Sequence, residues 1–171
     1  YRPNICRVVS SNGHCYSQIF HRGEFKLENQ FVHLHNHSEY SLLDGFSKLN
    51  DMAETAAKLG QPAIALTDHG VVHGAVDFYK FGNLAGVKPI IGMEGYVTER
   101  SRFEKDRDQA IRHITLLAQN SKGYRNLLNL ASKSHLEGFY RRPRMDKDLL
   151  EQFSEGIIVL SGCPSGELAR A

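Results

Sequence analysis

Residues 63–70 read Ala-Ile-Ala-Leu-Thr-Asp-His-Gly, an apolar run that ends in a group of polar side chains. A short apolar run bounded by polar sequence is typical of a buried strand. In α/β sheets and barrels, functional side chains gather at the carboxyl ends of the strands. His69 occupies that position, so we expect it to belong to a site. A role as a loop or capping residue is the competing interpretation for a single histidine.

Strand-like and helix-like segments alternate on both sides of this run. This alternation implies right-handed crossovers and a parallel sheet or barrel, and we predict an α/β fold. The predicted strands are 31–37, 63–67, 87–97, 111–119 and 157–160. The predicted helices are 49–59, 74–85, 123–134 and 145–153, with a further helix starting at 164–170.

Composition bounds the class of protein. The 171 residues are 41% hydrophobic and 23% charged, which excludes global disorder and fibrous repeats. No apolar run approaches the ~20 residues of a membrane span. The net charge of +2 is too small to indicate nucleic acid or membrane binding by itself, and the odd count of three cysteines fits a reducing cytoplasm. We expect a fragment, with residues 1–30 a poorly ordered leader or unrelated upstream segment and residues 31–171 a truncated domain.

Nine histidines stand out, and three of them lie in His33-Leu34-His35-Asn36-His37. Residues two apart in a strand share a face, so the three imidazoles can point the same way. Packing alone explains such a group poorly, because each buried imidazole needs a polar partner. The cluster therefore predicts metal binding, although not all three histidines need bind.

Further residues that can ligate metals stand near other strand ends. Glu94 stands at or near the end of the strand-like run 88–91, and Cys163 comes just past the run 157–160. Asp44 comes seven residues after His37 in an Asp-Gly pair that alone would indicate a turn. His113 fits less well, because it precedes its apolar run. Each residue taken singly has an ordinary structural explanation, but together they favour one pocket.

The ligand set also indicates a reaction. Imidazole, carboxylate and one thiolate suit Zn²⁺, Mn²⁺ or Fe better than Ca²⁺. Six or seven ligands are too many for one tetrahedral zinc, which suggests two or three ions. Neighbouring ions polarise a phosphoryl group and stabilise the leaving oxygen, so phosphoester hydrolysis is the expected chemistry.

A basic and aromatic stretch reads Phe-Tyr-Arg-Arg-Pro-Arg at residues 139–144. Basic residues beside aromatic residues suit a phosphate backbone and stacked bases. Arg141, Arg142 and Arg144 are therefore candidate DNA-binding residues, and a solvated loop is the equal alternative.

The chain resembles the PHP (polymerase and histidinol phosphatase) domain at the start of bacterial replicative DNA polymerase III alpha subunits. Nothing in residues 1–30 matches. The Leu-Leu-Asp-Gly at residues 42–45 and the Gly-Met-Glu at 92–94 look more like the DnaE type than the PolC type or small histidinol phosphatases. The resemblance is carried by residues 31–45, 66–70, 88–94, 113–120 and 156–163.

The resemblance implies a distorted, TIM-like (β/α)7 PHP barrel that here lacks its last strands. It implies a cluster of two or three divalent ions, Zn²⁺, Mn²⁺ or Mg²⁺, with Asp44, Glu94 and His69 in catalytic roles. The implied activity is 3′–5′ exonuclease proofreading, and the parent's implied partners are a DNA primer-template, dNTPs and replisome subunits such as the sliding clamp. The implied metal ligands are His35, His37, Asp44, His69, Glu94, His113 and Cys163.

Two other functions stay open at this point. The domain can be a structural and interaction module that metals only stabilise, or a phosphomonoesterase of the histidinol-phosphatase kind. Truncation has a consequence of its own, because a barrel without its last strands leaves unpaired backbone groups on a strand edge. We therefore predict a fragment that is weakly stable and prone to aggregate.

Overall fold

The computed structural model describes residues 31–42, 44–162, 164, 166 and 169. The predicted leader at 1–30 and most of the predicted helix at 164–170 lie outside the described residues. The elements, in chain order, are α1 (Leu49–Lys58), β1 (Ala63–Leu66), α2 (Ala75–Ala85), β2 (Lys88–Thr98), β3 (Ile111–Ala118), α3 (Ser121–Leu136), β4 (Phe139–Tyr140), β5 (Arg142–Met145), α4 (Lys147–Gln152) and β6 (Ile157–Leu160).

The strands form one mixed sheet in the order β4-β5-β2-β3-β6, with β1 also paired to β2. The α/β class is confirmed, but the prediction of a parallel sheet is only half right. β1 and β5 run parallel to β2, whereas β3 runs antiparallel to both β2 and β6. The reason is the connection: residues 99–110 contain no crossover helix, so the chain turns back on itself and pairs β3 antiparallel to β2.

Helices pack on this sheet through periodic apolar faces. In α1 the buried side chains are Leu49, Met52, Ala53 and Ala56, a spacing that puts them on one helix face. That face joins β1 and α2 in one hydrophobic cluster, while α3 and α4 form a second cluster with β2 and β3. Asn120 caps α3, since its side-chain oxygen accepts a 3.0 Å hydrogen bond from the backbone of Gly123.

The predicted strand at 31–37 is an extended segment that touches β1 at separate points rather than a regular ladder. The backbone N–H of Ala65 donates to the His33 carbonyl at 2.9 Å, and that of Thr67 donates to the Asn36 carbonyl at 2.9 Å. The segment therefore runs beside β1 and brings the histidine-rich stretch to the carboxyl end of that strand. None of the helices in the described part of the chain is long and apolar enough to cross a membrane.

Candidate metal centre

Glu94 is the centre of the candidate site. Its side chain is only 2% exposed, and four imidazoles surround it. Its Oε2 atom lies 3.1 Å from Nε2 of His35, 3.0 Å from Nε2 of His37 and 3.0 Å from Nδ1 of His69. Its Oε1 atom lies 2.7 Å from Nδ1 of His113. Side chains from three separate stretches of sequence thus converge on one carboxylate.

Strand pairing explains why these side chains meet. The β1·β2 ladder continues past β1, because Glu94 N donates to the Asp68 carbonyl at 3.0 Å and Gly70 N donates to the Glu94 carbonyl at 2.8 Å. This places His69 directly beside Glu94. On the other side of β2, His113 pairs with Tyr96, which shares the Glu94 face of the strand.

Asp44 completes the group from a turn. The backbone N–H groups of Asp44 and Gly45 donate to the Ser41 carbonyl at 3.0 and 2.7 Å, which holds the Asp-Gly pair in place. The Asp44 carboxylate is 62% exposed and hydrogen-bonds to Nε2 of His69. That hydrogen bond lowers the pKa of the Asp44 carboxyl. One side of the candidate centre is therefore open to solvent.

The carboxylates of the centre are ionised. Burial opposes ionisation of Glu94, but the close ring nitrogens of His113, His35, His37 and His69 together hold its pKa well below the usual range. The neighbouring Glu94 carboxylate raises the pKa of His69, with a further contribution from Asp44. A buried anion ringed by imidazoles is the charge arrangement that attracts a divalent cation.

The arrangement fits metal ions better than hydrogen bonds alone. A carboxylate offers about four lone-pair sites over its two oxygens, yet three ring nitrogens lie within 3.1 Å of Oε2. Nδ1 of His69 is buried, and its approach to Glu94 does not meet hydrogen-bond geometry, so it has no hydrogen-bond partner among the described residues. Two groups of three residues each have ligand atoms within 4.8 Å of one another. One group is His35, His37 and Glu94, the other is His37, Asp44 and His69, and His37 belongs to both.

The chain has clear relatives among known proteins. Residues 33–171 match the PHP domain family. The chain belongs to that family. It is 52% identical over 145 residues to the DNA polymerase III subunit alpha of Borreliella burgdorferi and 47% identical over 145 residues to that of Thermus aquaticus, covering 83% and 81% of this chain. The matches cover only 13% and 12% of those relatives, so the PHP chain spans a small part of their length.

Solved structures show a more distant likeness. A metal-dependent phosphoesterase from Bifidobacterium adolescentis matches at 20% identity and a TM-score of 0.46, over 62% of this chain and 33% of its own. An amidohydrolase from Chromobacterium violaceum matches at 19% identity and a TM-score of 0.42, over 59% of this chain and 38% of its own.

The residues expected from the sequence fall into three groups in the PHP structure. His35, His37, Asp44, His69, Glu94 and His113 are brought together, whereas Cys163 lies outside the described residues. His113 precedes the apolar run 114–118 but lies within β3, which begins at Ile111 as predicted. His33 is exposed and packs edge-on against Phe31, away from the Glu94 contacts.

The three candidate DNA-binding arginines differ in their surroundings. Residues 139–144 form the β4·β5 hairpin rather than a loop, with Arg141 at its tip at φ 64°. Arg141 and Arg142 are exposed. Arg144 is 1% exposed, and its guanidinium donates to the Gly138 carbonyl, the Gln109 side chain and the Arg102 carbonyl, each at 3.0 Å. Arg144 therefore supports the fold and is not placed to contact DNA, which leaves a DNA contact as a proposal for Arg141 and Arg142.

Sequence reasoning missed the layer that supports the imidazoles. Asp68 is 1% exposed and accepts hydrogen bonds from Ser38 N at 2.6 Å, Ser38 Oγ at 2.8 Å and Ser41 Oγ at 2.7 Å. Ser41 Oγ in turn accepts from His69 N at 3.1 Å and lies 3.2 Å from Nδ1 of His37. The available signal was an acidic residue immediately before His69 at the end of a buried strand.

Tyr96 was missed as well. Its ring stacks on His69 at 6.0 Å between centroids and meets His113 edge-on at 5.1 Å. Burial raises the pKa of its phenol, and the nearby Arg142 guanidinium opposes that rise. Tyr96 thus forms an aromatic wall beside the imidazoles.

Proposed function

We propose that this chain is the amino-terminal PHP region of a bacterial DNA polymerase III alpha subunit, and that its metal centre hydrolyses phosphodiester bonds. The buried Glu94 with its four imidazoles supports this proposal most directly, because a structural carboxylate would not need so many nitrogen partners. The substrate we infer is the 3′ end of a DNA primer strand. The reaction is 3′–5′ exonucleolytic proofreading.

Two sets of side chains would hold the ions. His35, His37 and Glu94 would hold one ion, and Asp44 with His69 a second, because His37 offers one ligand atom and can serve only one ion. Adjacent divalent ions supply Lewis-acid polarisation of the phosphoryl group and lower the pKa of water. Mixed nitrogen and oxygen ligands suit Zn²⁺ or Mn²⁺, and Mg²⁺ is the weaker candidate because it prefers oxygen. His113, on the other oxygen of Glu94, and Cys163 are the further proposed ligands.

The chain's own groups orient the substrate and set the local charge. Asp44 is the exposed member of the centre, so it faces an incoming phosphodiester from the solvent side. Glu94 stays fixed beneath it, because its carboxylate is buried and its strand is paired on both sides. Ser41 and Asp68 hold the backbone of His69 and the ring of His37 in position.

The remaining expectations concern the whole parent protein. We infer that it is a cytoplasmic DNA-directed DNA polymerase, with a primer-template, dNTPs and replisome subunits such as the sliding clamp as partners. Polymerisation would require carboxylates outside this chain. Arg141 and Arg142 are the exposed cations proposed to contact the DNA backbone near the centre.

Asp44→Asn in the full-length alpha subunit tests the proposal. The variant should lose metal-dependent removal of a mismatched primer 3′ end while keeping its thermal unfolding profile, because the side chain is exposed. Asp77→Asn, an exposed carboxylate on α2, is the matched control and should keep full activity. Wild-type protein that carries bound ions yet releases no nucleotide from the primer would contradict the enzymatic proposal.

One observation favours a purely structural role as the second candidate. Ions at the centre would link residues 35–44, the end of β1, β2 and β3, and so would stabilise the domain without catalysis. In that case Asp44→Asn should lower the unfolding temperature and leave primer degradation unchanged. Comparing hydrolysis of histidinol phosphate with that of a DNA primer end separates the phosphomonoesterase alternative.

A further inference from the structure

We propose that Arg142, which lies within cation–π distance of Tyr96, binds the phosphate group of the substrate beside the metal centre. This inference rests on the proposed function and refines it by naming the residue that receives the anionic group. It assigns Arg142 a specific contact with the substrate, in addition to the general positive charge that the hairpin carries.

Tyr96 lies at the side of the centre. On β2 it is two residues beyond Glu94 and on the same face, and across the sheet it pairs with His113. Its ring is nearly parallel to that of His69, with an interplanar angle of 20°. A group that packs against Tyr96 is therefore next to imidazoles of the centre.

Arg142 is that group. Its guanidinium carbon lies 5.5 Å from the centroid of the Tyr96 ring, within the range of a cation–π contact. Pairing of β5 with β2 brings it there, since Tyr96 is in register with Arg144. The side chain is held by an aromatic surface, while the residue as a whole is exposed.

Arg142 also differs from other arginines in its charge partners. Arg100, Arg102 and Arg112 each pair with a carboxylate. Within the described part of the chain, no carboxylate lies within 4.0 Å of the Arg142 guanidinium. Arg142 also contacts the Tyr96 phenol. A guanidinium has five N–H donors, so this exposed group without an acidic partner keeps donors for an anionic ligand.

The chemistry of the guanidinium matches a phosphodiester. Its planar fork donates two parallel hydrogen bonds to two oxygens of a phosphate, and stacking on an aromatic ring holds the fork in orientation. Lysine would supply the charge without the fork. Arg142 would therefore act on substrate affinity and orientation rather than on ion retention.

The test compares Arg142→Gln and Arg142→Lys with Arg125→Gln in the full-length alpha subunit. Arg125 is an exposed arginine on α3, so its replacement makes the same charge change away from the centre. The substrate is bis(4-nitrophenyl) phosphate, which lacks a DNA chain. We expect kcat/KM to fall roughly tenfold to a hundredfold for Gln, the range for a lost charged hydrogen bond, and less for Lys. Arg125→Gln should match wild type, and bound metal measured by mass spectrometry should be unchanged in all proteins.

A second readout separates this inference from the proposed function. Binding of inorganic phosphate to the Mn²⁺-loaded protein is followed by ³¹P relaxation, which does not require turnover. If the wild-type protein shows no hydrolysis, and Arg142→Gln still weakens phosphate binding relative to Arg125→Gln, the hydrolytic proposal fails and the phosphate site stands. If wild type hydrolyses the diester and Arg142→Gln matches Arg125→Gln in both readouts, the role of Arg142 is refuted. Loss of bound metal in Arg142→Gln would also refute it.

Discussion

Replacing Asp68 with asparagine should loosen the segment that carries His37 and Asp44. The carboxylate accepts three hydrogen bonds from Ser38 and Ser41 at 2.6–2.8 Å in a fully buried setting. Hydrogen bonds to a charged group contribute about 1.5–3 kcal/mol and neutral ones about 0.5–1.5 kcal/mol, so each bond weakens by about 1 kcal/mol. An asparagine that keeps an oxygen at the Oδ1 position retains the acceptor contacts with Ser38 N and Ser41 Oγ, and its amide nitrogen at the Oδ2 position reverses the contact with Ser38 Oγ. The expected local loss is therefore about 2–3 kcal/mol.

Hydrogen exchange measured by mass spectrometry in the full-length protein checks this figure. Peptides covering residues 36–46 should exchange roughly 30- to 150-fold faster in Asp68→Asn than in wild type, since about 1.4 kcal/mol corresponds to tenfold. Peptides of α3 should keep their wild-type rates, and Asp77→Asn serves as an exposed control. A change of less than about threefold at residues 36–46 would refute the claim that Asp68 organises this segment, because the loss would then be under about 0.7 kcal/mol.

Three further outcomes follow from the structure. Burial raises the pKa of Asp146, but hydrogen bonds from the backbone and guanidinium of Arg102 hold that pKa below the ordinary aspartate value of about 3.9. The ionised Asp146 carboxylate therefore stabilises the fold fully above that pH, and this stabilisation is lost as the pH falls through the folded-state pKa. Acid unfolding should therefore show a stability gap between wild type and Asp146→Asn at pH 6 that narrows below pH of about 4. Gly123→Ala should cost about 3 kcal/mol, because the new Cβ would lie 1.8 Å from the Gly156 carbonyl oxygen, and calorimetry should show the lower unfolding temperature. Val159→Lys should reduce light scattering by the isolated chain, because this residue is 55% exposed on an edge strand of the described sheet.

Each outcome has a contrary result. A stability gap for Asp146→Asn that is independent of pH would show that the carboxylate charge is unimportant. Ser132→Ala, an exposed change in the same helix, is the control for Gly123→Ala. An equal loss of stability in both variants would contradict the steric explanation. Equal aggregation of the Val159→Lys and wild-type chains would place the aggregating surface elsewhere.

The parts predicted correctly from the sequence depend on local pattern. Apolar runs bounded by polar residues located β1, β2, β3 and β6 within a residue or two of their observed bounds. The rule that functional groups follow strands located His69 just past β1, whereas Glu94 lies inside β2, where strand pairing places it beside His69.

The parts that were missed depend on long-range partners. Strand direction is not encoded in apolar periodicity, so the antiparallel pairing of β3 was not visible. The burial of Arg144 depends on Gln109 and Gly138, which lie elsewhere in the chain, and Arg-Pro-Arg therefore reads as exposed when taken alone. The role of Asp68 was missed for the same reason, since its partners Ser38 and Ser41 are about thirty residues away.

The position of Glu94 within β2 has a consequence for how such chains can change in length. β2 pairs with β1 before Glu94 and with β3 from Gly92 onward, so its alignment is set on both sides. Deleting or inserting one residue between 88 and 94 would turn the carboxylate to the opposite side of the sheet. Related chains should therefore keep a constant residue count from Lys88 to Glu94, while the connection at 99–110 is free to lengthen or shorten.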